Sequence, residues 1–354
     1  MEKPAKKILL GMLVANGDCL MATVLAKQIK KDYPGCHLTW AISNLCRGVI
    51  DGNPDVDAVW EIQLNNKKEA EKEGWYRFES AALQRKEKGE FDEVFFTQIY
   101  PNNVHCFDGT TRSTIYNAYP HPVTVDPRPV LRLREEEIKK VAAFASVHQL
   151  ETYRDVILFE CSSFSGQSFV TPDWALEVSR RLLSAREDLF IILSTQITIT
   201  ELPSRMALAS TLSLRENAEL TKYCSLLIGC SSGITWIATT DWAKRLPMLQ
   251  FLKRGKGFTF ASVAYDHRYW GLDDQLIIET TNEDISAAEN MVLKVLENGV
   301  PVVRKEFHMQ LRPRIISLLK YWFMFFRKGK WAKSFGIIKQ FYLRNYRSRD
   351  RRIV

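Results

Sequence analysis

At 354 residues, 46% hydrophobic and 25% charged, the chain has the composition of a globular protein with room for two domains, and disordered or fibrous classes are excluded. The net charge of +8 is concentrated: residues 312–354 carry 13 Lys or Arg against one acid, Asp350, which is +12, so the remainder is −4 and offers no basic face for nucleic acid. Seven cysteines form no CxxC pair and no His/Cys/Asp cluster has metal-ligand spacing, which argues against a disulfide framework or a zinc site and for a reducing compartment.

Lys6 to Tyr33 organises the rest. Ile8 to Val14 is an apolar run of strand length, Asn16-Gly17-Asp18 is a tight turn, and Leu20, Val24, Leu25 and Ile29 then share one helical face. Strand, Gly turn and helix in that order predict a doubly wound α/β domain, whose ligands lie outside the carboxyl ends of the strands. Asn16, Gly17 and Asp18 fall there. Asp18 has two readings: a group facing the ligand, or an acid that caps the helix and offsets its dipole. Strands follow at His37–Ile42, Ala58–Ile62 and Asp92–Thr97, with a Lys- and Glu-rich surface helix between residues 65 and 90. Residues 99–130, rich in Pro, Asn, Gly and Tyr, read as an irregular loop, either inert or shaping an acceptor pocket. A helix at Glu135–Leu150 completes a first domain, 1–150.

A second α/β series occupies 151–300. Val156–Glu160 is a strand, Cys161 to Ser168 a small polar turn, and Thr171-Pro172-Asp173 opens a helix with an N-cap and a Pro at its first position. Strands at Leu189–Ser194, Leu226–Gly229 and Pro247–Leu252 alternate with helices at Leu214–Tyr223, Ile234–Lys244 and Asp284–Asn298, the last stopped by Gly299. Two such halves in succession predict an α/β protein of two Rossmann-like domains facing a cleft, followed by a crossover and a basic aromatic helical tail, 301–354.

The order of motifs resembles the heptosyltransferase-like glycosyltransferases, family nine of the sugar transferases. The resemblance rests on Gly17-Asp18 after a strand, Tyr33-Pro34 before HLTWAI, Asn53-Pro54 with Val56-Asp57, CSSFSGQS before Pro172-Asp173-Trp174, and Leu214-Arg215-Glu216 ahead of Leu226–Gly229 and Ser231-Ser232-Gly233. It covers roughly residues 6 to 300 and implies the two-domain GT-B fold. It also implies sugar transfer from a nucleotide-diphosphate sugar to an acceptor hydroxyl, with inversion, no metal and no resident cofactor. On that reading Asp18 corresponds to the family's base on the acceptor side, beside Asn16 and Gly17. An inverting transfer needs one base at the hydroxyl and positive potential at the departing diphosphate. The candidates for the latter are the hydroxyls and helix N–H groups of Ser231-Ser232-Gly233, the turn holding Ser162, Ser163 and Gly166, and Lys253 and Lys256 of KRGKG. The alternatives are an ordinary capped helix and a solvated basic loop. The chain departs from the family where an acid and a His of the second turn are replaced by Ser231 and Trp236, and where a Lys before the Trp-containing helix is replaced by Gln167 or Ser168. Those family positions meet the donor.

In the tail, Trp322, Phe325, Phe326, Arg327, Lys328 and Trp331 mix aromatic rings with cations, as headgroup-level segments do. This predicts attachment to an anionic membrane surface, each basic residue adding about 1 kcal/mol. The alternative is packing on the body with a disordered basic end. No run of 18 apolar residues occurs, so no membrane span is expected, and no signal peptide is read. The expected protein is therefore cytoplasmic, peripheral on the inner face of the membrane, and works on a lipid-linked or lipopolysaccharide-type acceptor. A nucleotide-sugar epimerase or hydrolase on the same fold, and a non-catalytic scaffold tethered to the membrane, are the other readings.

Overall fold

The computed structural model describes residues 5–70, 72–163, 166–195, 199, 202–253, 262–311, 316–327 and 329–343. Lys256 and Lys328 lie outside the described residues. Two compact units result, residues 1–132 with 313–354, and residues 133–312.

The first unit is built on β1 (Lys7–Gly11), which pairs on both sides and after the exposed Lys7 is apolar and buried without alternation. α1 (Asn16–Asp32) follows, then β2 (His37–Ser43) and β3 (Ala58–Ile62). The expected surface helix is split into α2 (Lys67–Ala70) and α3 (Glu73–Glu87), and α3 is exposed on one side while Trp75, Phe78 and Ala82 bury the other. β4 (Glu93–Phe96) completes an all-parallel sheet of order β3-β2-β1-β4. Gly11 makes this packing feasible. A Cβ there would lie 2.9 Å from Phe96 and 3.0 Å from Phe78, inside the edge-to-face cluster of Trp75, Phe78 and Phe96 with centroids 5.4–5.7 Å apart.

The expected loop of residues 99–130 is more ordered than its composition implies. It contains α4 (Thr111–Tyr116), capped by Thr110, and Arg112 is fully buried. The return strand of chain runs along α1, where Gln28 Oε1 accepts from Thr124 and Val125 N–H and Thr23 Oγ1 from Val130 N–H. Those backbone groups have no sheet to join, so side chains of α1 satisfy them.

The second unit begins with α5 (Glu135–Val147). Val141 and Ala145 enter that unit's core and Glu137 pairs with Arg215 at 2.8 Å, which carries the division to 132/133 instead of 150. β5 (Asp155–Glu160), α6 (Pro172–Ala185), β6 (Leu189–Ser194), β7 (Met206–Leu208) and α7 (Leu214–Leu220) follow. Then come β8 (Leu226–Gly229), α8 (Gly233–Ile237), β9 (Met248–Phe251), α9 (Val263–Tyr269), β10 (Ile277–Thr280), α10 (Ile285–Asn298) and α11 (Val300–Phe307). The strands form one parallel sheet of order β10-β9-β8-β5-β6-β7. Each face has its own apolar core, one against α6 and α10, the other against α5, α7 and α9, which is the doubly wound layering. α8 is much shorter than the expected helix to Lys244. Thr239 and Thr240 hydroxyls donate to the carbonyls of Trp236 and Ile237, competing with the next turn.

The tail forms α12 (Ile316–Arg327) and α13 (Trp331–Tyr342), which group with the first unit, whereas α11 belongs to the second. Phe325, expected at the lipid surface, is buried, and Trp322 and Phe326 are half-buried and stacked at 5.1 Å. Their α12 face is used in folding against α13, where Ser334 Oγ donates to Trp322 O at 3.0 Å. Arg327 and Trp331 remain exposed. No helix among the described residues is long and apolar enough to cross a membrane.

Candidate functional site

In each sheet the chain reverses its direction of winding at one place, between β1 and β4 in the first unit and between β5 and β8 in the second. Crevices outside the carboxyl ends of strands at such points are where ligands bind in this architecture. The sequence-predicted residues divide between these two places.

In the first unit the segment after β1 is fixed by side chains. Gln98, buried, accepts from Leu13 and Val14 N–H at 3.0 and 3.2 Å and donates to the carbonyls of Ala70 and Tyr100. Asn103 Nδ2 donates to the carbonyls of Phe96 and Gln98, and Ser43 Oγ and Trp40 Nε1 donate to the carbonyls of Leu13 and Met12. This frame delivers Ala15 to the N-cap position of α1, so Asn16, Gly17 and Asp18 form its first turn. Asp18 is half-exposed. A carboxylate there is favoured by the helix dipole whatever else it does. Behind it, burial, the neighbouring Cys46 and the Asp18 charge push the Cys19 thiol up, so it stays protonated.

In the second unit the predicted phosphate cradle is occupied from within. Glu160, the last residue of β5 and 3% exposed, points across to α8. Its Oε1 accepts from Ile234 N–H at 2.8 Å and Thr235 N–H at 3.4 Å. Its Oε2 accepts from Cys230 N–H at 2.9 Å, Ser232 N–H at 3.3 Å and Thr235 Oγ1 at 2.7 Å. Ser231 N–H donates to Gln250 Oε1. The helix N–H groups that the sequence offers to a diphosphate are thus largely taken by a carboxylate, as a buried charge requires. Burial and Glu160 together hold the Cys230 thiol protonated.

Ser231 stands in the turn between β8 and α8. It is buried, in the left-handed region at φ 52°, and its Oγ has no hydrogen-bond partner among the described residues. Ser232 and Gly233 are half-exposed. Ser162 and Ser163 are likewise half-exposed, and Gly166 adopts φ 70°, which only glycine accommodates without strain. Ser163 Oγ accepts from Ser168 N–H at 3.2 Å. The exposed Lys253 is brought beside this turn, since its N–H donates to Gln167 O at 2.8 Å and Ser168 Oγ donates to Phe251 O at 2.5 Å. Gln167 Nε2 in turn donates to Ser231 O at 2.7 Å, so the turns after β5, β8 and β9 form one hydrogen-bonded unit. No group of three or more His, Cys, Asp or Glu that could hold a metal ion occurs among the described residues.

Glu160, Gln98, Gln250 and Thr235 were not singled out from sequence. For three of them a signal was present: Glu160 ends the apolar strand VILFE, Gln250 interrupts MLQF, and Gln98 follows EVFF by two residues; Thr235 had none.

Two parallel doubly wound units, each with its switch point furnished as above, are the Rossmann-like pair of the GT-B fold. The chain resembles in fold a family 9 glycosyl transferase from Veillonella parvula, with a TM-score of 0.57 at 16% identity over 85% of this chain and 94% of that one. It is also similar to ADP-heptose lipopolysaccharide heptosyltransferase II of E. coli, with a TM-score of 0.53 at 12% identity over 82% and 98%. A Listeria monocytogenes protein described as a UDP-N-acetylglucosamine 2-epimerase gives 0.52 at 10% identity over 92% and 98%. No protein-family model and no curated protein sequence matches. At these identities the likeness is one of fold.

Proposed function

We propose that the chain is a glycosyltransferase that moves a sugar from a nucleotide-diphosphate sugar to a hydroxyl of a lipid-linked or lipopolysaccharide-type acceptor, inverting and without a metal. The observation that carries this reading is Asp18 in the first turn of α1, half-exposed at the switch point of the first sheet. In the proposed step Asp18 takes the proton of the acceptor hydroxyl, whose oxygen attacks the anomeric carbon. The bond from that carbon to the diphosphate breaks and the nucleoside diphosphate leaves. On the donor side Ser162, Ser163, Ser232 and Lys253 are the groups that would meet the phosphates, because Glu160 already holds most of the α8 amides. The fold shared with a heptosyltransferase and a family 9 transferase supports the reading. No resident cofactor is proposed; the nucleotide sugar is a substrate.

The occupied cradle favours a second reading, a non-catalytic scaffold that keeps the fold. Thermal shift against ADP-, GDP-, UDP-, CMP- and dTDP-sugars separates the two. A ligand at 100 times its Kd adds about 2.7 kcal/mol. One selective nucleotide sugar, with the shift reduced in Lys253→Ala, is the expected result for a transferase. No shift from any of them, together with wild-type behaviour of Asp18→Ala in the native host, would leave the scaffold.

A further inference from the structure

α13 is apolar on two sides, and folding uses only one. Ser334, Ile337 and Phe341, spaced at three and four residues, are buried. Trp331, Phe335, Ile338 and Tyr342 have the same spacing on another face and are exposed, Phe335 and Tyr342 to 58% each. α12 repeats the arrangement: Leu318 and Phe325 are buried while Leu319 and Phe323 are exposed. Gly329, at φ 67°, and the N–H groups of Gly329 and Lys330, bonded to the carbonyls of Phe326 and Phe325, close the turn between the helices. Phe326 packs edge-on against Trp331 at 4.3 Å. α13 also packs against residues 104–106 on its inner side.

An exposed second stripe gains nothing from folding, since a helix that is apolar on all sides is ordinarily covered on all sides. Its surroundings indicate what covers it. Six Lys or Arg and no Asp or Glu lie between residues 316 and 343, and Arg327, Lys330 and Lys339 are exposed. Rings and aliphatic chains ringed by cations, without one acid, complement an anionic lipid surface, where the apolar side chains enter the acyl boundary and the cations meet headgroups.

We infer that the α12–α13 hairpin is a membrane-docking element and that its inserting face is Leu319, Phe323, Trp331, Phe335, Ile338 and Tyr342. Trp322, Phe325 and Phe326 are the internal packing of the element. The inference does not depend on sugar transfer.

The test is flotation of the full chain with vesicles of phosphatidylcholine, with and without phosphatidylglycerol. The chain floats with the anionic vesicles and little with the neutral ones. Phe335→Asp with Ile338→Asp lowers vesicle affinity by on the order of tenfold or more, with an unchanged melting curve because both side chains are exposed. Phe325→Asp fails differently, by lowering the melting temperature. Absence of flotation, equal flotation on both vesicles, or full flotation of the double variant would each overturn the inference. Self-association abolished by the same double variant, without flotation, would assign the face to a second copy of the chain instead. None of these readouts involves a nucleotide sugar, so they fail independently of the transferase reading.

Discussion

Glu160 and Thr235 are joined twice: the Glu160 carboxylate accepts the Thr235 hydroxyl at 2.7 Å and its backbone N–H at 3.4 Å. The same carboxylate spans from the end of β5 to the residues entering α8, across the point where the second sheet reverses its winding. It does there what a bound anion would do, satisfying N–H groups that a short helix cannot satisfy itself. Glu160→Gln presents one acceptor oxygen and an NH2 group to donors that approach from both sides. Hydrogen bonds to a buried charge are worth about 1.5–3 kcal/mol each, and leaving such donors unpaired costs comparably. The variant is expected to be destabilised by about 2–4 kcal/mol, measured from the denaturant midpoint at constant slope. A loss below about 0.5 kcal/mol would mean the α8 amides find other partners.

Asp18 separates base from cap through its isostere. Asp18→Asn keeps the size and polarity of the first-turn residue and removes the charge, so stability changes by under about 1 kcal/mol. If Asp18 is the general base, turnover falls by about 10²–10⁴-fold while donor binding, which we propose for the other unit, is unchanged. Turnover within a few-fold of the parent would limit Asp18 to its effect on the helix dipole.

Gly11 tests the packing that sets the first switch point. Gly11→Ala places a methyl 2.9 Å from Phe96 and 3.0 Å from Phe78, and neither ring can swing away because Trp75 packs edge-on against both. Overpacking of this kind costs about 1–3 kcal/mol. Enlarging the space with Gly11→Ala and Phe78→Leu together should recover part of that loss, and a double-mutant cycle with no coupling would count against direct contact.

Period and turn chemistry made most of the architecture legible. β3, β6 and β8 run over the residues their patterns predict: β6 and β8 are inner strands of a parallel sheet and apolar on both faces, whereas β3 is a half-buried edge strand paired with β2. What stayed hidden is non-local. β7 and β10 are three and four residues long and are strands only because β6 and β9 are beside them. α3 reads as a polar helix until Gly11 opens space for Trp75 and Phe78. The serine turn after β8 reads as free amides because Glu160, 70 residues earlier in the chain, is invisible to local pattern. The aromatic tail reads either as lipid-facing or as packed on the body, because the sequence does not say which of two apolar stripes is covered.

Glu279 and His308 form a pair whose titrations oppose each other. Glu279 N–H donates to His308 Nδ1 at 3.2 Å, and the Glu279 carboxyl, beside Ser262 Oγ and Ala264 N–H, is pushed up to about 7 by burial. His308 is pushed down to about 4 by burial and by the nearby Arg304 and Arg268, with Asp274 acting against them. The folded chain therefore retains a proton on Glu279 that the unfolded chain releases near pH 4.5, so this contribution is full below that pH and is lost as pH rises through 7. It also withholds from His308 a proton that the unfolded chain takes up near pH 6.5, so that contribution is present above 6.5 and is lost as pH falls through 4. In the shared window the two slopes have opposite signs and offset each other. Removing one member exposes the other. Glu279→Gln should melt progressively lower as pH falls from 6.5 towards 4. His308→Gln should melt progressively lower as pH rises from about 4.5 to 7. Melting temperatures of the parent and both variants across that range check this, and variant profiles sloping the same way would show that the pair is not what sets the pH response of this edge of the sheet.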